Sequence, residues 1–445
     1  MVSDSHNPIL QQELTMWVYG SYFKGDKMHK KKLILSIFII ILLTSLLLWK
    51  IPSDEVENDE SVTKNEIRKD ELFTQSLYDE WYDQQPTWSI DHFPKYGSDY
   101  KGNTYAWGWS YVANSLIDMY EATGQEKYLD LLVPQVRYIF TQTDERLWLE
   151  SFTNTGLSLP AWSDRGHYTS GEFSYIYPVH TGMIILPVLR FVDIVKENNI
   201  SKYNDIANDF LQASGEALAI HNKESMWKDI SEDEGFYMGH PYGEGLVSEA
   251  NKIGIPNRIF IYLAAGGLYD KLTGGNEYTE RINKSLRYFK HSLVKYDKNY
   301  DSYYWSYWND LDPTSWEDIS HAALTVYGIY ILHEEAGFSI FTDKDFIRFK
   351  NIIYKIVNKD SPPKARKFIH RKSTEQNSFY KMEDNQYYFS LLKWTFLGIY
   401  DKKVLETLEP VYREAYNQKR NTVTTLSGIA TYLKIKDQLK AEREN

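Results

Sequence analysis

The chain has 445 residues, with 61 acidic against 50 basic side chains and a net charge of −11. That balance excludes a non-specific nucleic-acid binder, which needs a basic surface. Cysteine is absent, which excludes disulfides, a thiol nucleophile and thiolate metal sites.

Residues 1–32 read as a cytoplasmic segment, with Met28 as an alternative start directly ahead of HKKK. The run LILSIFIIILLTSLLLW, Leu33 to Trp49, is uncharged and long enough to span a bilayer. Lys30, Lys31 and Lys32 precede it, and the acidic DEVENDE follows Lys50. The positive-inside rule then puts the N-terminus in the cytoplasm and the rest of the chain outside the cell membrane. No small-x-small cleavage site follows, which favours an uncleaved signal anchor. Residues 50–69 are polar and read as a stalk.

From here a theme recurs. A helix is expected at about residues 70–84. Then an apolar helix and an amphipathic one alternate, starting at TYAWGWSYVANSLIDMYEATGQEKYLDLL (from Thr104), YPVHTGMIILPVLRFVDIVKENNISKYNDIA (from Tyr177) and IPNRIFIYLAAGGLYDKLTGGNEYTERI (from Ile255). SWEDISHAALTVYGIYILHEEAG (from Ser315) and MEDNQYYFSLLKWTFLGIYDKKVLETL (from Met382) continue it, and TVTTLSGIATYLKI (from Thr422) ends it. The first helix of each pair is apolar nearly all round and should be buried; the second has a polar face. Six buried and six covering helices fit an all-α ring, an (α/α)6 toroid. An open solenoid competes, but polar end caps are not evident. Strand signals are sparse and confined to the connections.

This pattern, over residues 70–440, resembles the six-hairpin glycosidase-like superfamily, (α/α)6 toroids that act on carbohydrates. The two-Asp signatures of its mannanase-like members are missing. The resemblance therefore implies a poly- or oligosaccharide substrate more than a particular reaction. The composition agrees: 36 Tyr and 13 Trp, many in polar stretches such as YDSYYWSYWNDLD, suit stacking on sugar rings.

In such a toroid the buried helices start at one end of the ring. Their first turns carry Trp107 and Trp109, Tyr177 and His180, Asn257 and Arg258, then Glu317, Asp318 and His321, and last Asp384 beside Glu383. The connecting loops add His240, Glu244, Trp305 and Trp308 as substrate contacts. Ser315 is expected to cap the fourth buried helix, with His321 one turn beyond both acids. Adjacent residues on a helix diverge by about 100°, so Glu317 and Asp318 are not expected to face each other.

Three function classes fit these residues. Glycoside hydrolysis needs a proton donor and a second carboxylate; Glu317, Asp318, Glu244, Glu249, Glu383 and Asp384 are the candidates, with Asp318 or Glu317 favoured and a partner expected from another loop. A lyase or uronate epimerase needs a base such as His321, with Arg258 or Asn257 to hold the developing anion. A non-catalytic polysaccharide-binding protein would use the aromatics alone. The spacing implies no metal and no cofactor. The basic island KARKFIHRKS, 364–373, reads as a solvated loop or as a contact for an acidic polymer.

Overall fold

The computed structural model describes residues 72–84, 99–166, 168, 172–308, 312–358, 364–370 and 385–444, all within the unit Ile67–Asn445. The expected membrane segment, Leu33 to Trp49, the stalk and Asp384 lie outside the described residues.

The principal helices are α1 (Gln75–Asp83), α2 (Ser110–Thr123), α3 (Lys127–Thr141), α4 (Pro178–Glu197), α5 (Asn204–Ala219) and α6 (Pro256–Thr273). They continue as α7 (Thr279–Tyr288), α8 (Ile319–Glu334), α9 (Asp343–Ile356), α10 (Asn385–Phe389), α11 (Lys403–Asn417) and α12 (Val423–Glu444). A 3₁₀ helix over Ser390–Ile399 prolongs α10. The even-numbered helices pack one on the next, and α12 returns to pack on α2, so the ring closes. The odd-numbered helices cover it from outside. The result is the (α/α)6 toroid, with no open ends to cap.

Burial follows the sequence pattern. In α8 nearly every residue from Ala322 to Leu332 is buried, as befits a ring stave. In α7 only Ile282, Ser285, Leu286 and Tyr288 are buried, the stripe of a covering helix. α4 is apolar and long enough to pass for a membrane span, but 94% of its apolar window is buried inside the ring. Glycines bring three staves close together: a Cβ at Gly182 of α4 would lie 2.6 Å from the Tyr262 backbone, and one at Gly328 of α8 would lie 2.6 Å from the Phe260 carbonyl. Both press on α6 from opposite sides.

Connections leaving the inner helices are short. Those entering α4, α6, α8 and α10 are long and hold paired strands, whereas α12 follows α11 after five residues: β1 (Asp164–Arg165) pairs with β2 (Ser174–Tyr175), then β3 (Trp227–Asp229) with β4 (Gly235–Tyr237). Before α8 come β5 (Lys295–Asp297) with β6 (Ser302–Tyr304), and β7 (Ser306–Trp308) with β8 (Asp312–Trp316). Before α10 come β9 (Val357–Asn358) and β10 (Lys364–Ala365). All five pairs are antiparallel, and all decorate the end of the ring where the inner helices begin.

Deeper in the lumen, charges meet. Arg190 of α4 donates to Asp118 (2.9 Å) and Glu121 (2.7 Å) of α2 and to Glu335 (3.2 Å), just past the last turn of α8. Lys434 of α12 reaches Glu121 at 3.0 Å. Burial opposes the charge on both α2 acids. The two cations outweigh it at Asp118, which stays below the usual carboxylate range, but not at Glu121, which is raised.

Candidate active site

At the entry to α8 two expectations change. Ser315 lies in β8, paired to β7, so it is not the helix cap. Asp318 is the cap: its Oδ1 accepts from the backbone N–H of Ser320 (2.8 Å) and His321 (3.1 Å). Its backbone is extended (φ −85, ψ 162) and the helix starts only at Ile319. Glu317 and Asp318 are therefore not successive helix positions. The angular divergence expected of them does not apply, and ligand-type atoms of Glu317, Asp318 and His321 all come within 4.8 Å of one another.

The three groups sit in unlike surroundings. Asp318 Oδ2 and His321 Nδ1 are 2.6 Å apart, and Glu317 Oε1 lies 4.0 Å from the same ring nitrogen. Glu317 is fully buried, whereas the His321 side chain is 40% exposed. Trp305 Nε1 donates to Glu317 Oε2 at 3.3 Å, while Oε1 lacks a hydrogen-bond partner among the described residues. Burial, then the neighbouring Asp318 charge, pushes the Glu317 carboxyl well above the ordinary range; Trp305 and Asn257 offset this only in part. At Asp318 burial works the other way from its partners: hydrogen bonds from the His321 ring and the helix N–H groups prevail, and its carboxyl is held low. Burial thus favours the protonated form of Glu317, while its partners favour the ionised form of the adjoining Asp318.

From His321 the site runs around the ring. The Tyr307 and His321 rings lie 5.1 Å apart. Arg258 donates to Tyr307 Oη at 3.4 Å and makes a close ion pair with Glu249. Its guanidinium lies over Tyr168 (5.4 Å) and Tyr177 (5.6 Å). The Tyr177 ring is 5.2 Å from His180, and His180 is 6.1 Å from Trp107. Burial opposes the Arg258 charge, but Glu249 keeps it on. Tyr177, with Pro178 in the first helical position, starts α4 just as Ile255 and Pro256 start α6. Asn257 is buried beside Glu317. The first turns of α4, α6 and α8, with the π-helical turn Tyr105–Trp109 ahead of α2, thus contribute to one continuous patch.

Other expected residues fall elsewhere. Trp109 is buried and donates to Gln135 of α3 at 3.0 Å, so it faces the outer layer as core. His240 is 1% exposed and hydrogen-bonds His221 at 2.9 Å, which in turn meets Thr181 at 2.8 Å; the trio is an internal polar network. Trp305 is fully buried and supports Glu317 instead of offering a stacking face. Glu244 is exposed and accepts from Asn251 at 3.0 Å, within its own loop. The Trp308 side chain and Asp384 lie outside the described residues. The described half of the basic island is structural. Phe368 bridges to Asp318, and Ile369 N–H donates to the Glu317 carbonyl at 3.1 Å.

Tyr307 and Tyr168 join the site without having been picked out from the sequence. Both lie in aromatic loop stretches where no spacing distinguishes one tyrosine from another. Below the patch the lumen holds a space of about 60 Å³, lined by Tyr111, Asp118, Met183, Leu324, Tyr327 and Lys393.

No protein-family description and no curated protein matches this chain. Among solved structures it is similar to an inactive variant of the alpha-1,6-mannanase GH76A of Salegentibacter sp. HEL1_6 in complex with alpha-1,6-mannotetrose. That likeness has 12% identity and a TM-score of 0.44, covering 82% of this chain and 98% of the other. A further structure of the GH76A alpha-1,6-mannanase from Salegentibacter sp. HEL1_6 gives 12% identity and a TM-score of 0.44, covering 82% and 99%. Likeness at this level assigns no family.

Proposed function

We propose that this chain is a membrane-anchored, extracytoplasmic glycoside hydrolase acting on a poly- or oligosaccharide, with Glu317 as proton donor. The observation that carries this reading is the pairing of a buried, proton-retaining Glu317 with an ionised Asp318 at one helix start. Adjacent carboxyls driven apart in acidity are how one site supplies both acid and base at neutral pH. Asp318 holds His321 by Nδ1 and leaves Nε2 as the remaining acceptor, suited to drawing a proton from the attacking water. Glu317 gives its proton to the leaving glycosidic oxygen, and His321, the exposed member held by Asp318, receives the proton of the water. Arg258, Tyr168 and Trp107 form the sugar-binding wall, and the fully buried Tyr177 backs it from behind Arg258. The anchor is Leu33 to Trp49, with residues 1–32 cytoplasmic.

A specific arrangement favours a second reading. His321, Tyr307 and Arg258 form a base–hydroxyl–cation series that would serve elimination or epimerisation of a uronate equally well.

The deciding experiment incubates detergent-solubilised full-length protein with neutral and uronate-containing polysaccharides. New reducing ends and the ultraviolet absorbance of an unsaturated uronate are followed together. Hydrolysis gives reducing ends alone, and Glu317→Gln should lower that rate by about 10²–10⁴. Absorbance rising with the reducing ends would replace hydrolysis by elimination. An unaffected Glu317→Gln enzyme would remove Glu317 from the mechanism. Because the chain has no cysteine, orientation can be read by labelling Ser5→Cys and Ser53→Cys in intact cells. Only the second should react with an impermeant thiol reagent.

A further inference from the structure

Lys393 projects from the 3₁₀ helix into the lumen. Its Nζ donates to Ser320 Oγ at 3.0 Å, one residue from His321, and lies 4.9 Å from the Tyr111 ring centre. Among the described residues no carboxylate lies within ion-pair distance of it. The other cations of the lumen contrast with this: Arg190 and Lys434 each meet three acids. On the same wall the Tyr111 hydroxyl is buried and has no hydrogen-bond partner among the described residues. Lys393 and Tyr111 both line the space of about 60 Å³, together with Met183, Leu324 and Asp118, whose charge Arg190 and Lys434 already answer.

A cation without a counter-charge and a neighbouring unspent hydroxyl, in a lining where the one acid is already ion-paired, describe a receptor for a ring with an anionic substituent. Lys393 spends one donor on Ser320 and keeps others for an incoming anion, which would also satisfy the buried Tyr111 hydroxyl. We infer that the lumen binds a sugar bearing a carboxylate or phosphate, with Lys393 and Tyr111 as the anion's partners. This rests on the carbohydrate reading above and adds the substrate's charge to it.

Ligand-observed NMR on the full-length protein in detergent tests the inference with three probes: D-glucuronate, D-glucose 6-phosphate and D-glucose. At least one anionic sugar should bind about tenfold or more tightly than glucose, the worth of one charge-assisted hydrogen bond. Which anion binds identifies the substituent. Lys393→Gln should bring the anions down to the level of glucose, Lys393→Arg should restore them, and Tyr111→Phe should weaken them less. Thermal melts establish that each variant is folded, and the Arg and Phe variants carry the test should the Gln variant not fold. Glucose binding as tightly as the anions, anions indifferent to position 393, or no binding by any probe overturns the inference. Cleavage is scored separately. Lys393-dependent anion binding without released reducing ends would sink the hydrolase reading and leave this one standing. Cleavage of neutral polymers by a protein that ignores anions would do the reverse.

Discussion

Glu317 keeps a carboxylic acid where a carboxylate would be expensive. Its folded-state affinity for the proton exceeds that of the unfolded chain. Stability is therefore greatest below the ordinary carboxyl pKa of about 4 and falls as pH climbs from there through the raised folded value. Glu317→Gln removes the ionisation that costs stability at neutral pH. It should raise stability near pH 7 by about 1 kcal/mol while activity is lost, the usual exchange at a catalytic group. Urea midpoints at pH 5 and pH 7 check this; a variant less stable than the parent at both would mean the carboxyl is structural. The histidines act in the opposite sense. Burial holds His240 down to about 3 and depresses His221 as well. The unfolded chain takes up protons below about pH 6.5 that the folded one refuses, so stability should drop as pH falls from about 6.5 to 3. His240→Gln should flatten that slope, read as urea midpoint against pH. Of these residues, Glu317, Asp318 and His321 were legible from spacing alone, because three ionisable groups crowd the front of an apolar run. His240 misled because a histidine in a glycine-rich loop reads as exposed, and only the tertiary fold buries it.

Between elements, the strongest single tie is Arg190. It joins α4 to Asp118 and Glu121 of α2 and to Glu335 at the end of α8. Removing one partner of a buried ion group strands the others, at about 3–5 kcal/mol. Arg190→Met should therefore cost that much in chemical denaturation; a loss under about 1 kcal/mol would mean the acids are solvated or take up protons without penalty. Sequence periodicity located the inner helices well but not their first residues. Ser315 looked like a cap because Ser precedes an acid by three positions, yet pairing of β8 to β7 claims its backbone and passes the cap to Asp318. Strand pairing over so few residues leaves no periodic trace. The stretch after α10 shows the same limit: its apolar run announces a buried stave but not that it winds as a 3₁₀ helix.

At the scale of the whole molecule, the ring was readable because most inner helices are apolar nearly all round, α4, α6 and α8 above all, and the outer ones are not. The seam is closed by α12, which packs on both the 3₁₀ helix and α2. Expression of residues 1–421, without α12, should give a protein that fails to melt cooperatively and is digested rapidly by protease; a sharp melt would mean the other staves suffice. The residues that converge on the site were less readable, because alternation of helices says which ends meet but not which side chains face one another. The charged group of Arg190, Lys434 and their acids has a further consequence. It ties α2, α4, α8 and α12 together across the lumen, so under the proposed function the toroid would work as a cup and not as a tube. Whatever enters must leave by the same opening, which suits a terminal or branching unit of a glycan over a strand threaded through. Released product then blocks the next arrival, and inhibition by product should be competitive with substrate in initial-rate kinetics.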